Sequence, residues 1–445
     1  MEPSDSVRLI ADCGMGCSYF LHTRDPRQDR VPYRRTRALG VVEETAMTRD
    51  VAITQRGAPI ARLVQSFGPG YMKFAQIAST REDMLPQFLR EALVPLQDRA
   101  VPMSRTEFDH ALARSVPGGR TSFKSIDPVA VGAGSIACVY RAERLDGRPV
   151  AVKLARPRIA SRVQRDVRTI GRVASVVAKS PGLRDVPVQE MVLAVSRAVV
   201  TQLDFVTERQ SLAGLAERSA HLEMVTVPHP HPDLCSSSAI VMDYVEDLAP
   251  SDWRDPDAGR NRVTARDIMT IVFEMLFTTG VVHCDMHPGN LVRRTGGGVA
   301  LLDAGFVHVI PDEVRIALAR FFLNLGFRNG TGCADAILTS CAGVRNTADL
   351  TGFRNAIDNL VDMYGGKPAD EFNFVDFARR LFAAQRDFGV FASSDFVFPL
   401  LALLMVDGTV RSLDPGIDFQ AIARPIVFRA VNRAMSLSGT GGGTL

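Results

Sequence analysis

The apolar positions of the chain change their period several times, and each change marks a predicted element. Residues 1 to about 39 show no period and read as irregular. From Glu43 to about Ala113 the pattern is helical, broken at Gly68-Pro69-Gly70 where a Pro between two glycines interrupts it. Phe123 to about Ala155 alternates and turns like a small antiparallel sheet, with Asp146-Gly147 as the hairpin turn. Val186 to about Arg218 returns to the helical period as one long stretch, and Ala239-Ile240-Val241-Met242 reads as a strand leading into Asp243-Tyr244-Val245. Beyond Val263 the pattern is helical except around one loop and one short hairpin, and no internal repeat is evident. The longest apolar run, Phe396 to Val406, carries Pro399 and falls short of the ~20 residues that cross a bilayer, so it predicts a buried helix.

The interrupting loop carries the chemistry. It reads Val281-Val282-His283-Cys284-Asp285-Met286-His287-Pro288-Gly289-Asn290-Leu291 and is followed by Asp303 in Leu301-Leu302-Asp303-Ala304-Gly305-Phe306. An Asp, an Asn five residues on and a second Asp after a hairpin are what a kinase-like site needs: a base that orients a hydroxyl, Asp285, and two metal ligands, Asn290 and Asp303. Upstream, Gly132-Ala133-Gly134-Ser135-Ile136-Ala137 has the layout of a small-residue hairpin that lets backbone N–H groups approach phosphate oxygens. Val150-Ala151-Val152-Lys153 then matches a strand that presents a phosphate-binding Lys, and Glu208 on the long helical stretch is its candidate partner. Asp243 and Val245 mark the segment whose backbone would meet the adenine. His283, Asp285 and His287 are also competent metal ligands, but a metal cluster leaves Asn290 and the apolar run into Asp303 unexplained. His287 reads as a residue that orients the loop by hydrogen bonding.

A narrower resemblance lies further upstream. Gly68-Pro69-Gly70-Tyr71-Met72-Lys73-Phe74-Ala75-Gln76 continues through Ser79-Thr80-Arg81-Glu82-Asp83-Met84-Leu85-Pro86 to Leu96-Gln97-Asp98, and resembles the signature helix of the UbiB/AarF (ADCK-type) atypical kinases. Gln202-Leu203-Asp204 falls where that family has a Glu-x-Asp motif, and the His283 to Asn290 run resembles its catalytic loop. The resemblance spans roughly residues 40 to 430. It implies a helix-rich α+β, two-lobed protein-kinase-like fold with an N-terminal helical extension. The expected parts are an irregular arm (1–39), an extension (40–120) that places Lys73 and Gln76 over the phosphates, an N-lobe (121–246), a C-lobe (247–435) and a flexible tail (436–445). It further implies ATP and Mg2+ as cofactors, ATPase or atypical kinase activity, and a setting in isoprenoid quinone or lipid metabolism with a lipid or quinone-like partner.

Departures from the family pattern bear on regulation more than on chemistry. Ala75 stands where the motif has Gly, and Gly is helix-destabilising by about 1 kcal/mol relative to Ala. Gln202 stands where an acidic residue would pair with Lys73, and a neutral amide forms a bond roughly half as strong as a charge-assisted one. The phosphate loop carries Gly132 and Gly134 in place of consecutive alanines, and Ala304 replaces the Phe of Asp-Phe-Gly.

Composition narrows the setting. At 445 residues the chain is long enough for two lobes and an extension, and 46% hydrophobic with 23% charged residues is ordinary for a globular protein. A net charge of +3 is too small to argue for nucleic acid, and none is expected as a partner. Seven cysteines, an odd number, form no disulfide framework, and Cys13 and Cys17 lack a second pair at zinc-site spacing; the expectation is free thiols and a cytoplasmic protein. The first residues lack the basic and apolar regions of a signal peptide, so membrane contact is expected to be peripheral. The arginines between Arg24 and Arg37 read first as a solvated arm and second as an anionic-lipid contact. Two rival functions remain: a small-molecule phosphotransferase of the aminoglycoside or choline kinase type, which lacks the Lys73 to Pro86 helix, and a nucleotide-binding pseudokinase.

Overall fold

The computed structural model describes residues 101–177, 188–249, 255–287, 289–367 and 371–439, together with Ser18, Tyr19 and Tyr71. The chain divides into two compact units, Met1–Arg209 with Pro230–Tyr244, and Gln210–His229 with Val245–Leu445.

In the first unit, helix α1 (Arg105–Ser115) starts at a reciprocal cap. The Ser104 hydroxyl accepts from the Glu107 N–H, and the Glu107 carboxylate accepts from the Ser104 N–H at 2.9 Å. The sheet is antiparallel throughout, in the order β1 (Ser18–Tyr19), β2 (Phe123–Ala133), β3 (Ala137–Arg144), β4 (Pro149–Ala155), β6 (Ala239–Asp243). Its β3–β4 turn is the expected Asp146-Gly147, with Gly147 at φ +86, a backbone conformation that suits a residue without a Cβ. Phe108 of α1 and Tyr140 of β3 are both fully buried, with ring centroids 4.4 Å apart.

After α2 (Ile159–Val177), the long helical stretch expected from Val186 to about Arg218 is two helices, α3 (Val188–Thr201) and α4 (Phe205–Ser219), separated at Gln202-Leu203-Asp204. Asp204 makes the break, because its carboxylate accepts from the Val206 and Thr207 N–H groups and from the Thr207 hydroxyl, as a helix N-cap does. These bonds, the Thr207 hydroxyl first, hold the Asp204 carboxyl below its ordinary range.

Residues 210–229 belong to the second unit, whereas the sequence pattern assigns them to a continuous N-lobe of 121–246. The reason is packing: Leu215, Leu222 and Val225 sit in the second unit's core, and β5 (Val225–Thr226) pairs parallel with β9 (Val299–Leu301). That core is built by α5 (Ala258–Glu274), α6 (Asp312–Gly326), α7 (Gly330–Ser340), α8 (Leu350–Tyr364), α9 (Phe374–Asp387), α10 (Ser394–Leu413) and α11 (Phe419–Gly439). Helix α7 packs on α6 and α8, and α11 packs on α5 and α6. The expected tail from 436 is helical through Gly439, and residues 440–445 lie outside the described residues. Helix α10 contains the apolar Phe396–Val406 run. It is long and apolar enough to cross a membrane by length and composition, yet Phe396, Leu400, Leu403, Val406 and Val410 are buried in the core.

Candidate functional site

Two constellations of the expected site residues form, one in each unit. In the first unit, strand β4 presents Lys153 opposite α4, where the cap at Asp204 starts the helix and so sets Glu208 one turn in. Lys153 Nζ donates to Glu208 Oε1 at 2.5 Å, with side chains only 9% and 7% exposed, and lies 5.6 Å from the centroid of the Phe205 ring. A buried pair of this kind is held by the need to keep each charge matched.

The small-residue loop connects β2 to β3. Gly132 pairs with Val139 and Ala133 with Cys138, and the turn closes when the Gly134 N–H donates to the Ala137 carbonyl at 2.8 Å. Ser135 is half-buried at its tip. Arg156, which the sequence pattern did not single out, braces this loop: its Nε donates to the Gly134 carbonyl at 2.9 Å, its N–H to the Ile136 carbonyl at 2.9 Å, and its guanidinium to the Val101 carbonyl at 2.6 Å. At the far end of the sheet Asp243 closes β6 and faces His231 at 3.1 Å, and the Tyr244 N–H donates to the Pro149 carbonyl. The chain passes from the first unit to the second between Tyr244 and Val245.

In the second unit the entry to the loop is unusual. Helix α5 ends in a π-helical turn, Met275–Thr279, and Gly280 at φ +67 turns the chain into β7 (Val281–His283). A Cβ at Gly280 would meet the Arg315 side chain at 3.2 Å, so the position has little room for another residue. Strand β7 pairs antiparallel with β10 (Val307–Val309), and β8 (Leu291–Arg293) pairs antiparallel with β9, so the loop carrying Asp285 and the segment carrying Asp303 are joined by two ladders. Arg293 to Asp255 at 2.6 Å and Arg294 to Asp247 at 3.0 Å anchor β8.

His283 joins the two acidic positions. Its Nε2 donates to the Asp303 carbonyl at 2.8 Å, and its Nδ1 accepts from the Asp285 N–H at 3.1 Å, which fixes the tautomer with hydrogen on Nε2. His287 likewise accepts the Gly289 N–H on Nδ1 at 2.9 Å, and its Nε2 lies 3.9 Å from Asp285 Oδ2, an orienting role like the one expected of it. Asn290 Nδ2 donates to the Asp285 carbonyl at 3.0 Å, so the amide oxygen is the atom it could offer a metal ion. Asp303 Oδ1 accepts the Gly305 N–H at 2.6 Å. Ala304, where a Phe was the comparison, is 1% exposed. Among the described residues no group of three His, Cys, Asp or Glu side chains is placed to hold a metal ion. Asp303 and Asn290 supply one carboxylate and one amide oxygen, hard donors that suit Mg2+, which takes few protein ligands and leaves its other positions to phosphate and water.

Lys73 and Gln76 lie outside the described residues, as do Cys13, Cys17 and the Arg24 to Arg37 arm. Asp204, the acidic residue of the Gln202-Leu203-Asp204 motif, has its carboxylate engaged in capping α4. Cys138, Cys235, Cys284, Cys333 and Cys341 are free thiols. Burial, and then the adjacent Asp285 carboxylate, pushes the Cys284 thiol up to about 12, and burial alone pushes Cys333 to about 12. Neither thiol is then expected to be alkylated by N-ethylmaleimide in the folded protein at pH 8, while both react in urea. Peptide mass spectrometry after a timed pulse reads the difference, and native labelling of Cys284 would contradict its placement.

Residues 95–337 match the family described as ABC1 atypical kinase-like domain. Curated relatives include a probable protein kinase UbiB of Vibrio atlanticus, 29% identical over 376 residues, spanning 82% of this chain and 68% of the relative. A probable protein kinase UbiB of Serratia proteamaculans is 28% identical over 385 residues, spanning 83% and 70%. Among solved structures, the complex of Rv3197 with erythromycin from Mycobacterium tuberculosis superposes with a TM-score of 0.58 at 20% identity, covering 86% of this chain and 98% of that one.

Proposed function

This chain belongs to the ABC1 atypical kinase-like family and has a helix-rich kinase-like fold, and from that premise we propose that it binds ATP with magnesium and transfers or releases the terminal phosphoryl group. The observation that carries the reading is the His283 bridge, which holds Asp285 and Asp303 on adjoining backbone within one unit while Asn290 is pinned to the Asp285 carbonyl.

In this reading Lys153, kept in place by Glu208, binds phosphate oxygens, and the Gly132 to Ala137 hairpin lays backbone N–H groups along them. The Asp243 to Val245 backbone meets the adenine. Asn290 and Asp303 hold Mg2+, which when bound neutralises charge on the phosphates. Asp285 orients the attacking hydroxyl, of water in an ATPase or of an acceptor in a kinase, and accepts its proton. Phosphoryl transfer asks a protein mainly for position and charge, and these residues supply both. A cytoplasmic site with peripheral membrane contact follows from the reading of the sequence, its cysteine usage above all, and a lipid or quinone-like partner rests on the family resemblance alone. So does gating by Lys73 and Gln76, with Gln202 in place of the acidic partner.

Nucleotide turnover by the full chain, with and without anionic vesicles, tests the reading. Asp285→Asn is expected to lower turnover by roughly 10²–10⁴-fold, the range for removing a positioned base, while Mg-ATP affinity stays within twofold. An Asp285→Asn protein that turns over ATP as fast as the parent, or a parent with no turnover under any condition, would defeat the enzymatic reading.

A further inference from the structure

The second unit contains a cavity of ≈ 220 Å³ that phosphoryl transfer does not use. Its wall comes from five places in the fold, with Phe273 on α5, Phe322 on α6, Phe372 before α9, Leu403 on α10 and Phe419 on α11. None of its lining residues belongs to the constellation around Asp285 and Asp303. Aromatic rings on several sides offer faces and edges to a further ring, and Phe327 at the end of α6 carries the apolar lining out to solvent, being 72% exposed.

Polar groups in this wall are few. Asp407 is bound by Arg411 on its own helix at 2.9 Å, and Arg411 in turn donates to the Phe372 carbonyl at 2.7 Å and lies 4.8 Å from the Phe419 ring centroid. Burial raises the Asp407 carboxyl and Arg411 counters it, so the pair brings no unmatched charge to the wall. Arg424 is exposed and keeps its charge in water. Gln420 differs from these: its Nε2 is buried and has no hydrogen-bond partner. A buried donor of this kind costs free energy until an acceptor reaches it.

Size and chemistry together define a ligand. An apolar cavity of about 150 Å³ stays dry and takes benzene, so about 25 Å³ serves each heavy atom and this cavity has room for about nine. An ionised ligand would lose its hydration against such a wall. We propose that the cavity binds a small uncharged aromatic molecule of about nine heavy atoms that presents one acceptor oxygen to Gln420 Nε2.

The test uses the full chain labelled with methyl-¹³C methionine, because Met269 lines the cavity and its methyl resonance, assigned through Met269→Leu, reports occupancy locally. Acetophenone and isopropylbenzene, equal in heavy atoms but with and without the acceptor, are titrated in turn. Both are expected to shift the Met269 methyl saturably, acetophenone binding about 2- to 12-fold tighter, the fold-change of one net hydrogen bond. Gln420→Leu, at a half-exposed position that tolerates the change, should make the two affinities equal. Leu403→Trp should abolish both shifts by filling the space. No saturable shift with either compound, equal affinities in the parent, or an acetophenone preference that survives Gln420→Leu would each overturn the proposal.

Discussion

Asp303→Asn is expected to abolish magnesium-dependent ATP binding while leaving the fold intact. The amide oxygen of Asn can still accept the Gly305 N–H that Asp303 Oδ1 accepts at 2.6 Å, so the turn after the metal position survives. What disappears is the negative charge that a hard dication requires of its protein ligand. Loss of an outer-shell partner alone costs a metal site about 10–100-fold in affinity, and loss of a direct ligand's charge is expected to exceed about 100-fold. Titration of a fluorescent ATP analogue with and without Mg2+ reads the effect. Without magnesium, parent and variant should bind alike; with it, only the parent should gain. A variant that gains as much as the parent would remove Asp303 from the metal site.

Glu208→Ala is expected to destabilise the first unit by about 3–5 kcal/mol, because it removes the carboxylate that lies 2.5 Å from a buried ammonium. The control is Lys153→Met combined with Glu208→Leu. Replacing both buried charges by apolar groups is often neutral, so the double variant should recover most of the loss. Both proteins should be devoid of turnover, which separates the pair's contribution to stability from its proposed contact with phosphate. Urea denaturation followed by circular dichroism gives the stabilities. If the double variant were as unstable as Glu208→Ala, the cost would come from packing around Phe205 and not from an unmatched charge.

The elements most legible in the sequence were those set by local chemistry. Alternation and the Asp146-Gly147 turn specify the β3–β4 hairpin, because register there depends on neighbours in the chain. Lys153, Asp285, Asn290 and Asp303 were singled out by residue type and spacing. The break before α4 also left a signal, an Asp directly ahead of a helical run, but a helical period that resumes on both sides of a three-residue gap conceals it. The transfer of residues 210–229 to the second unit left none, since a two-residue parallel strand depends on a partner more than seventy positions away. The bridging role of His283, which the sequence offered only as a metal ligand, and the brace by Arg156 left no signal for a related reason. Both act through bonds to backbone carbonyls and N–H groups, and such bonds impose no pattern on the residues they touch.

The π-helical turn Met275–Thr279 makes the chain's length at that point a quantity the fold has to count. A π turn closes with i→i+5 bonds where the α-helix closes with i→i+4, so dropping a single residue would let the turn relax into ordinary α-helix with every hydrogen bond kept. Local bonding would therefore tolerate the edit. The residues behind it would keep their places as well, because a π turn holds one residue more than an α turn and giving it up leaves the helix exit at nearly the same rotation. The α-helical part of α5 has no such slack: a residue lost there slips β7 by one, which turns every side chain to the opposite face and points His283 away from the Asp303 carbonyl. Insertions and deletions in this segment are thus governed by arithmetic: the π turn can give up one residue, whereas the same change a turn earlier disconnects the two acidic positions beyond it.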